Sequence, residues 1–461
     1  MAFYDEFEKY AERTALITEA EELSYQALQN EIDEVKAQME TRALTFCVCT
    51  NSIESVVGYL ACLQKKTVVV MINDHIDKEL FQNLQGLYQP DYIWAPQGFI
   101  KEAPDYTYRD YMLVKMDSNR QVSIHEELAV LLTTSGSTGS PKLVKQSYKN
   151  INSNAASIAE YLKITKEDRP ITTLPMSYTY GLSIINSHLL MGASIILTDQ
   201  AIVQPVFWKL LQGKEATTFG GVPYTYEMLK KLRFLKRDYP SLKVLTQAGG
   251  KLGKEMHYEF ATGLKEKGIR FVVMYGQTEA TARMSYVPEE NSVAKAGSIG
   301  IAIPGGKFWL EDENGNRIQN PQETGELIYQ GDNVTMGYAE GAEDLAKGYE
   351  RGDILHTGDM AMFDEDGYYY VVGRKKRFLK LFGNRVNLDE VEGLLKKQGI
   401  ECVASGVDDK MKVYITNPEQ EQLAKEYLLE HTAIPRQAVS IKIIDEIPRN
   451  EAGKILYSAL E

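Results

Sequence analysis

Short apolar runs rich in β-branched residues alternate with amphipathic segments along most of the chain. The runs have the length and composition of buried strands, whereas segments such as 150–164 and 254–268 repeat their apolar residues with a helical period. This alternation predicts layered sheets covered by helices, which is an α/β fold. The clearest runs predicted as strands are 67–72, 193–198, 242–250 and 269–276.

The character of the sequence changes after Gly297, which predicts further domains. Short strands with Gly, Asn and Asp turns follow first and indicate a β-rich subdomain. A hairpin then ends in a basic connector, where we place a domain boundary at Gly373 to Lys376. The prediction is a large N-terminal domain of layered α/β sheets plus the β-rich subdomain over 1–373, and a small mobile α+β C-terminal domain over 374–461. Within the latter we expect a helix over 387–398, a strand over 411–416, a helix over 419–431 and a strand over 439–445.

The chain is acidic, which limits its partners. Its 51 Lys and Arg residues against 64 Asp and Glu residues give a formal net charge of −13 at pH 7. A surface of this sign repels nucleic acid and anionic lipid, but it leaves room for a small basic pocket that binds a phosphate ester. The N-terminus lacks the basic and apolar regions of a secretory signal, and polar residues interrupt the apolar stretch 180–197. We therefore expect a cytoplasmic protein without nucleic-acid or membrane partners.

In the segment LLTTSGSTGSPKLV at 131–144, an apolar run ends abruptly in a loop rich in Ser, Thr and Gly. Glycines let backbone N–H groups approach an anion closely, hydroxyl groups add donors, and the lysine adds a positive charge. A Walker A loop is excluded, because that motif needs a Gly-Lys pair where Pro141 stands, five residues after the first glycine. The pattern predicts a phosphate-binding loop formed by Thr134, Ser135, Gly136, Ser137, Thr138, Gly139 and Lys142.

At these residues the sequence resembles the adenylate-forming enzymes, which include acyl- and aryl-CoA synthetases, luciferases and the adenylation domains of peptide synthetases. The further motifs of the family occur in the family's order, so that the resemblance extends from 131 to 454. It implies that a carboxylic acid reacts with ATP and Mg²⁺ to give acyl-AMP and pyrophosphate. A pantetheine thiol, either of CoA or of a carrier protein, would then displace AMP.

Two motifs match the segments of the family that hold the adenine and the acyl phosphate. YGQTEA at 275–280 follows a predicted strand, and by this resemblance Glu279 would bind Mg²⁺, a hard cation that needs a carboxylate beside the triphosphate. QAGGKL at 247–252 matches a Gly-Gly strand end, where adenine and the acyl group lie against the backbone. The implied nucleotide-binding residues of these motifs are Gly249, Gly250, Lys251, Tyr275, Gly276, Gln277 and Thr278.

Two further residues are implied as ribose ligands. HTGDM at 356–360 supplies Asp359, which in the family accepts hydrogen bonds from both ribose hydroxyls. The pair Gly373-Arg374 matches a pair whose arginine contacts ribose and phosphate. Both assignments depend on the order of the motifs, because a lone Thr-Gly-Asp is common.

The C-terminal part carries the residues that the resemblance implies for catalysis and domain rotation. Lys376 occupies the hinge position of the family, and the loop that enters for thioester formation is matched by Lys380, Gly383 and Arg385. Near the chain end, EIPRNEAGK matches the motif of the catalytic lysine, which is Lys454. An ammonium placed at the α-phosphate in the transition state stabilises the negative charge that builds there. Lys454 and Lys380 are thus the predicted catalytic residues of the two steps.

The predicted acyl pocket consists of Tyr178, Tyr180, Gly220 and Gly221. Tyr178 replaces the common histidine of the family, and no aspartate between 172 and 184 could pair with an ammonium. Because an unpaired buried ammonium is costly, we expect an acid without an α-amino group. Aryl and fatty acyl substrates both stay open. An inactive nucleotide-binding regulatory protein is a further alternative, which the presence of Glu279 and Lys454 disfavours.

Overall fold

The computed structural model describes residues 2–133, 142–382, 384–432, 434–449 and 455–460. The chain divides into two compact units. The first unit comprises Met1–Lys307 and Gln330–Leu355, and the second comprises Phe308–Tyr329 and His356–Glu461.

The strands of the described residues are distributed over both units. In chain order they are β1 (Thr14–Ile17), β2 (Glu22–Ser24), β3 (Leu44–Cys49), β4 (Val68–Asn73), β5 (Tyr92–Pro96), β6 (Tyr106–Tyr108), β7 (Tyr111–Lys115), β8 (Leu128–Thr133), β9 (Leu143–Ser147), β10 (Ile195–Ile196), β11 (Thr218–Gly221), β12 (Val244–Gln247), β13 (Arg270–Tyr275), β14 (Ser285–Tyr286), β15 (Ile301–Ala302), β16 (Lys307–Glu311), β17 (Gly325–Gln330), β18 (Gly337–Ala339), β19 (Ile354–Phe363), β20 (Tyr369–Arg374), β21 (Phe378–Leu381), β22 (Asn384–Asn387), β23 (Cys402–Val407), β24 (Lys410–Ile415) and β25 (Val439–Ile443).

The α-helices cover most of the amphipathic segments of the sequence. They are α1 (Tyr25–Lys36), α2 (Ile53–Lys65), α3 (Lys78–Tyr88), α4 (Tyr148–Tyr161), α5 (Thr179–Leu190), α6 (Pro205–Gly213), α7 (Pro223–Lys231), α8 (Lys254–Glu266), α9 (Leu388–Lys397) and α10 (Glu421–His431). Several begin at a polar residue that satisfies free backbone N–H groups. Ser24 and Ser52 accept from the third residue that follows each of them, and Asp77 accepts from Glu79 N and Leu80 N. None of the described helices is long and apolar enough to cross a membrane.

The largest sheet of the first unit has the strand order β18-β9-β8-β4-β3-β5-β7-β6. Its central strands β8, β4, β3 and β5 are parallel. Successive side chains of β3 enter two different cores, since Phe46 and Val48 pack on one face and Cys47 and Cys49 on the other. A parallel strand that is covered on both faces has a continuous run of apolar residues. For this reason polar and apolar residues do not alternate in the sequence of β3.

A second sheet of the first unit, β11-β12-β13-β14-β15, positions the candidate site. Its strands β11, β12 and β13 are parallel neighbours, with Gly221 opposite Gln247 and Gln247 opposite Val273. Their carboxyl ends therefore lie side by side at one edge. Together with the large sheet and the flanking helices, this arrangement confirms the predicted α/β fold class.

The described residues of the second unit form small sheets. The first is β16-β17-β19-β20, followed by the hairpin β21-β22 and by the sheet β23-β24-β25. Helices α9 and α10 supply buried side chains, including Val391 and Leu428, to the core that covers β23-β24-β25. The compact unit groups the β-rich sheet with the C-terminal segment, and the boundary at Gly373 to Lys376 and the mobility of 374–461 stay predictions.

Candidate functional site

The carboxyl ends of β11, β12 and β13 bring three predicted segments to one edge of a parallel sheet. β11 ends in Gly220 and Gly221, 248–251 follows β12, and YGQTEA begins at the last residue of β13. Ligands of open α/β sheets bind beyond the carboxyl ends of the strands. The predicted acyl and nucleotide residues of the first unit are thus neighbours in the fold.

The segment after β13 turns back on itself and leads into β14. Ala282 N donates to Gln277 O at 3.3 Å, and Met284 N donates to Tyr275 O at 2.9 Å. Thr278 is buried, and its carbonyl oxygen accepts from Gln146 Nε2 at 3.4 Å. The turn fixes the backbone on which Glu279 stands.

Glu279 belongs to a charged group at this turn. Its Oε1 accepts a hydrogen bond of 2.7 Å from the hydroxyl of Tyr338 on β18. Burial, with a further contribution from the Glu279 charge, raises the pKa of Tyr338 to about 12. Lys142 Nζ lies 3.8 Å from the centroid of the Tyr338 ring, and the Arg351 guanidinium lies 4.5 Å from it. The structure therefore gathers the predicted phosphate lysine and the predicted magnesium ligand around one tyrosine.

The donor set fits a magnesium ion that takes most of its ligands from phosphate and water. Among the described residues, no group of three or more His, Cys, Asp or Glu residues could hold a metal. Mg²⁺ keeps several waters and is bound through one or two carboxylates plus substrate phosphates. Glu279 supplies one such carboxylate.

Tyr178 and Tyr180 stand at the beginning of α5 and pack against the strand ends. Tyr180 Oη and Thr246 Oγ1 share a hydrogen bond of 2.9 Å. Gly249 has φ +83°, and a Cβ there would lie 2.6 Å from Tyr178 Oη, so that only glycine fits beside this ring. Burial raises the pKa of Tyr180 to about 12 and that of Tyr178 above its usual value, so both phenols are neutral at pH 7.

Arg283 is a residue of this pocket that the sequence analysis missed. Its guanidinium lies 4.3 Å from the centroid of the Tyr180 ring, and the residue is 1% exposed. Its Nη1 donates to Tyr161 Oη at 3.2 Å and its Nη2 to Ser183 Oγ at 3.0 Å. The available signal was its place four residues after Glu279, in a run otherwise made of small, hydroxyl and apolar residues.

In the second unit, the two predicted ribose ligands are adjacent. Asp359 on β19 pairs in register with Arg374 at the end of β20, and Arg374 Nε lies 3.4 Å from Asp359 Oδ1. Asp359 is buried, and its backbone N–H donates to Thr357 Oγ1 at 3.1 Å. The carboxylate is therefore buried beside an exposed guanidinium.

Several predicted residues lie outside the described residues or have side chains outside them. The former are Thr134, Ser135, Gly136, Ser137, Thr138, Gly139, Gly383 and Lys454. The side chains outside the description are those of Lys376, Lys380 and Arg385, of which Lys380 and Arg385 are partners in the β21-β22 hairpin. Of the remainder, Lys251 is exposed beyond β12 and Gln277 Nε2 donates to Tyr275 Oη at 3.2 Å.

Comparison with known proteins gives consistent matches. The family model of AMP-binding enzymes matches residues 3–339. The 2-succinylbenzoate–CoA ligase of Bacillus pumilus (strain SAFR-032) is 28% identical, covering 96% of this chain and 94% of that protein. The oxalate–CoA ligase of Arabidopsis thaliana is 30% identical, covering 75% and 71%. The structure of o-succinylbenzoate coenzyme A synthetase (MenE) from Bacillus subtilis with AMP has a TM-score of 0.81 at 22% identity, covering 100% and 98%.

The strand ends, the YGQTEA turn and these matches define an adenylate-forming enzyme. The predicted class, an AMP-forming acid–thiol ligase, is confirmed at this level. The chain belongs to the AMP-binding enzyme family, whose model matches well over half of its length.

Proposed function

We propose that the protein joins a carboxylic acid to the thiol of CoA at the expense of ATP, which it converts to AMP and pyrophosphate. The observation that carries this proposal is the YGQTEA turn at the end of β13, where Glu279 contacts the hydroxyl of Tyr338 and Lys142 lies over the ring of the same tyrosine. A carboxylate and an ammonium in one place suit a magnesium triphosphate. The phosphates would bind the ammonium of Lys142, and the magnesium ion would bind the carboxylate of Glu279.

The remaining nucleotide contacts follow from the motifs. Asp359 and Arg374 would bind the ribose, and the loop at 134–139 would bind the phosphates through its N–H and hydroxyl groups. Lys454 would stabilise the charge that develops at the α-phosphate. Lys380, Gly383 and Arg385 would line the approach of the thiol in the second step, after a rotation with Lys376 as its hinge.

CoA is favoured over a carrier protein as the acceptor because the two relatives described above are CoA ligases. The substrate is proposed to be an acid without an α-amino group. Arg283 beside Tyr180 supports this assignment, because a guanidinium repels an ammonium. A cytoplasmic site of action and the lack of nucleic-acid partners stay predictions from the composition.

Pyrophosphate release, measured over a panel of carboxylic acids with and without CoA, tests the proposal. We expect acid-dependent release that needs Mg²⁺, stops with EDTA, and yields an acyl-CoA visible by mass spectrometry. Acyl transfer to a phosphopantetheinylated carrier protein but not to CoA would show that the acceptor is a carrier protein. ATP binding without release for any acid would support the regulatory alternative.

A further inference from the structure

Arg283 carries a buried charge that no carboxylate of the described residues balances. Its hydrogen-bond acceptors are the neutral hydroxyls of Tyr161 and Ser183, and its Nη1 also contacts Met274 Sδ. The Nε has no hydrogen-bond partner in the part of the chain that the structure describes. The ring of Tyr180 covers one face of the guanidinium.

A guanidinium in this setting favours an anionic ligand. Arginine stays protonated when buried, and a buried charge is normally paired with an opposite charge. Neutral acceptors and a ring face offset only part of the lost hydration. An anion that reaches Nε would therefore supply both the missing hydrogen bond and the missing charge.

The surroundings of Arg283 leave room for a small group. A cavity of about 10 Å³ adjoins it, lined among others by Ser187, His188, Gly220 and Thr246. This volume holds about one water-sized group. Burial lowers the pKa of His188 to about 4, so the imidazole is neutral at pH 7 and adds no charge of its own.

Arg283 and Glu279 have separate side-chain surroundings. Glu279 contacts Tyr338 on β18, whereas the side chain of Arg283 contacts residues of α4, α5 and β13. The two sets of side-chain partners share no residue. A substrate carboxylate that reacts at the triphosphate would be bound near Glu279, which leaves Arg283 for another group.

We propose that Arg283 binds a second carboxylate of the substrate, so that the preferred substrates are dicarboxylic acids. This inference rests on the proposed function. One carboxylate would attack ATP, while the other would pair with Arg283 at the wall formed by Tyr180 and Gly220. A merely structural arginine, which only ties α4 to α5, would change stability without changing the choice of acid.

The test compares acids that differ only in the second carboxylate: pentanoate against pentanedioate, hexanoate against hexanedioate, and benzoate against benzene-1,2-dicarboxylate. The readout is kcat/KM for pyrophosphate release. We expect the wild type to prefer at least one diacid over its monoacid by about tenfold or more, as for one hydrogen-bonded charge pair. In Arg283→Met this preference should fall by about tenfold or more, while KM for ATP stays the same.

Arg270→Met is the matched control, because Arg270 lies on the same strand, β13, but is paired with Glu289 at 3.1 Å. Its preference for diacids should stay within about twofold of the wild type, because Arg270 is the first residue of β13 and the candidate site lies beyond the last, Tyr275. Arg283→Lys keeps the positive charge but loses the two-pronged hydrogen-bonding geometry of the guanidinium, so it should give an intermediate preference for diacids. This variant replaces Arg283→Met in the test if the methionine variant does not fold.

Three results would overturn the inference. Wild-type protein that uses only monoacids, or uses both classes equally, would overturn it while leaving the proposed ligase function intact. An unchanged diacid preference in Arg283→Met, or in Arg283→Lys where only that variant folds, would assign the preference to other residues. Failure of every acid would overturn the proposed function, and this inference with it.

Discussion

At the scale of single residues, Asp359 is a buried carboxylate of the second unit. Its side chain is 7% exposed, whereas that of Arg374 beside it is 65% exposed. A buried carboxylate loses little side-chain freedom when it accepts hydrogen bonds from two ribose hydroxyls, which lowers the entropic cost of binding. The adjacent guanidinium stays accessible to a phosphate.

Asp359→Ala should therefore weaken ATP binding. Charge-assisted hydrogen bonds contribute about 1.5–3 kcal/mol each, so we expect a loss of roughly tenfold or more in affinity by calorimetric titration. Glu365→Ala, an exposed carboxylate in the same β19-β20 hairpin, is the control and should bind ATP as the wild type does. Equal affinity of Asp359→Ala and wild type would remove Asp359 from the nucleotide site.

The residues of the motifs could be predicted from the sequence, but the residues that contact them in the fold could not. The segment 275–280 has a specific order of residue types, from which Glu279 is predicted as a magnesium ligand without a structure. Tyr338 is 59 residues away and stands in a strand with no motif of its own. Arg283 was missed for a similar reason, because its burial depends on α4 and α5 rather than on its neighbours in sequence.

At the scale of elements, α8 is connected to the loop before β15 through a buried imidazole. His257 Nδ1 accepts from Gly297 N at 3.0 Å, and Nε2 shares a hydrogen bond of 3.2 Å with Ser292 Oγ. Protonation of Nδ1 would remove the acceptor for Gly297. Burial lowers the pKa of His257 from 6.5 to about 4, which agrees with a neutral ring.

This pairing predicts a loss of stability in acid. Between pH 6.5 and 4 the unfolded chain binds a proton that the folded chain does not, so stability is full above pH 6.5 and falls as the pH approaches 4. For His257 the shift corresponds to about 3 kcal/mol. We expect the free energy of unfolding in urea to fall less between pH 7 and 4.5 in His257→Gln than in wild type. The exposed His75→Gln should fall as the wild type does, and a parallel fall of all three proteins would refute the role of His257.

Long elements were predicted more accurately than short ones. The segments 150–164 and 254–268 correspond to α4 and α8, and the run 67–72 corresponds to β4. The run 193–198 forms only the two-residue β10, because its pairing with β1 is limited to Leu16 and Ile17. β23 was not predicted, although Cys402 and Ala404 of this strand lie in the core of the second unit. Its segment CVASGV has little apolar length and carries a glycine, Gly406, just before its last residue.

At the scale of the whole molecule, the proposed reaction has two steps that use different lysines. Lys454→Ala should slow pyrophosphate release by about 10²–10³, the usual effect of removing one transition-state donor, with ATP binding retained. Lys380→Ala should leave that step near the wild-type rate and slow the reaction of preformed acyl-AMP with CoA. Each variant is the control for the other, and equal losses in both steps would show that the two roles are wrongly assigned.

The central claim is that the acid is activated as an adenylate, and the path of one oxygen atom tests it most directly. The carboxylate oxygen attacks the α-phosphorus as pyrophosphate leaves, and the thiol then attacks the acyl carbon as AMP leaves with that oxygen. An acid with heavy oxygen in its carboxylate, incubated with the protein, ATP, Mg²⁺ and CoA, should give AMP with one labelled oxygen and unlabelled pyrophosphate by mass spectrometry. Labelled inorganic phosphate together with ADP would show that the acid is activated as an acyl phosphate, and would contradict the account.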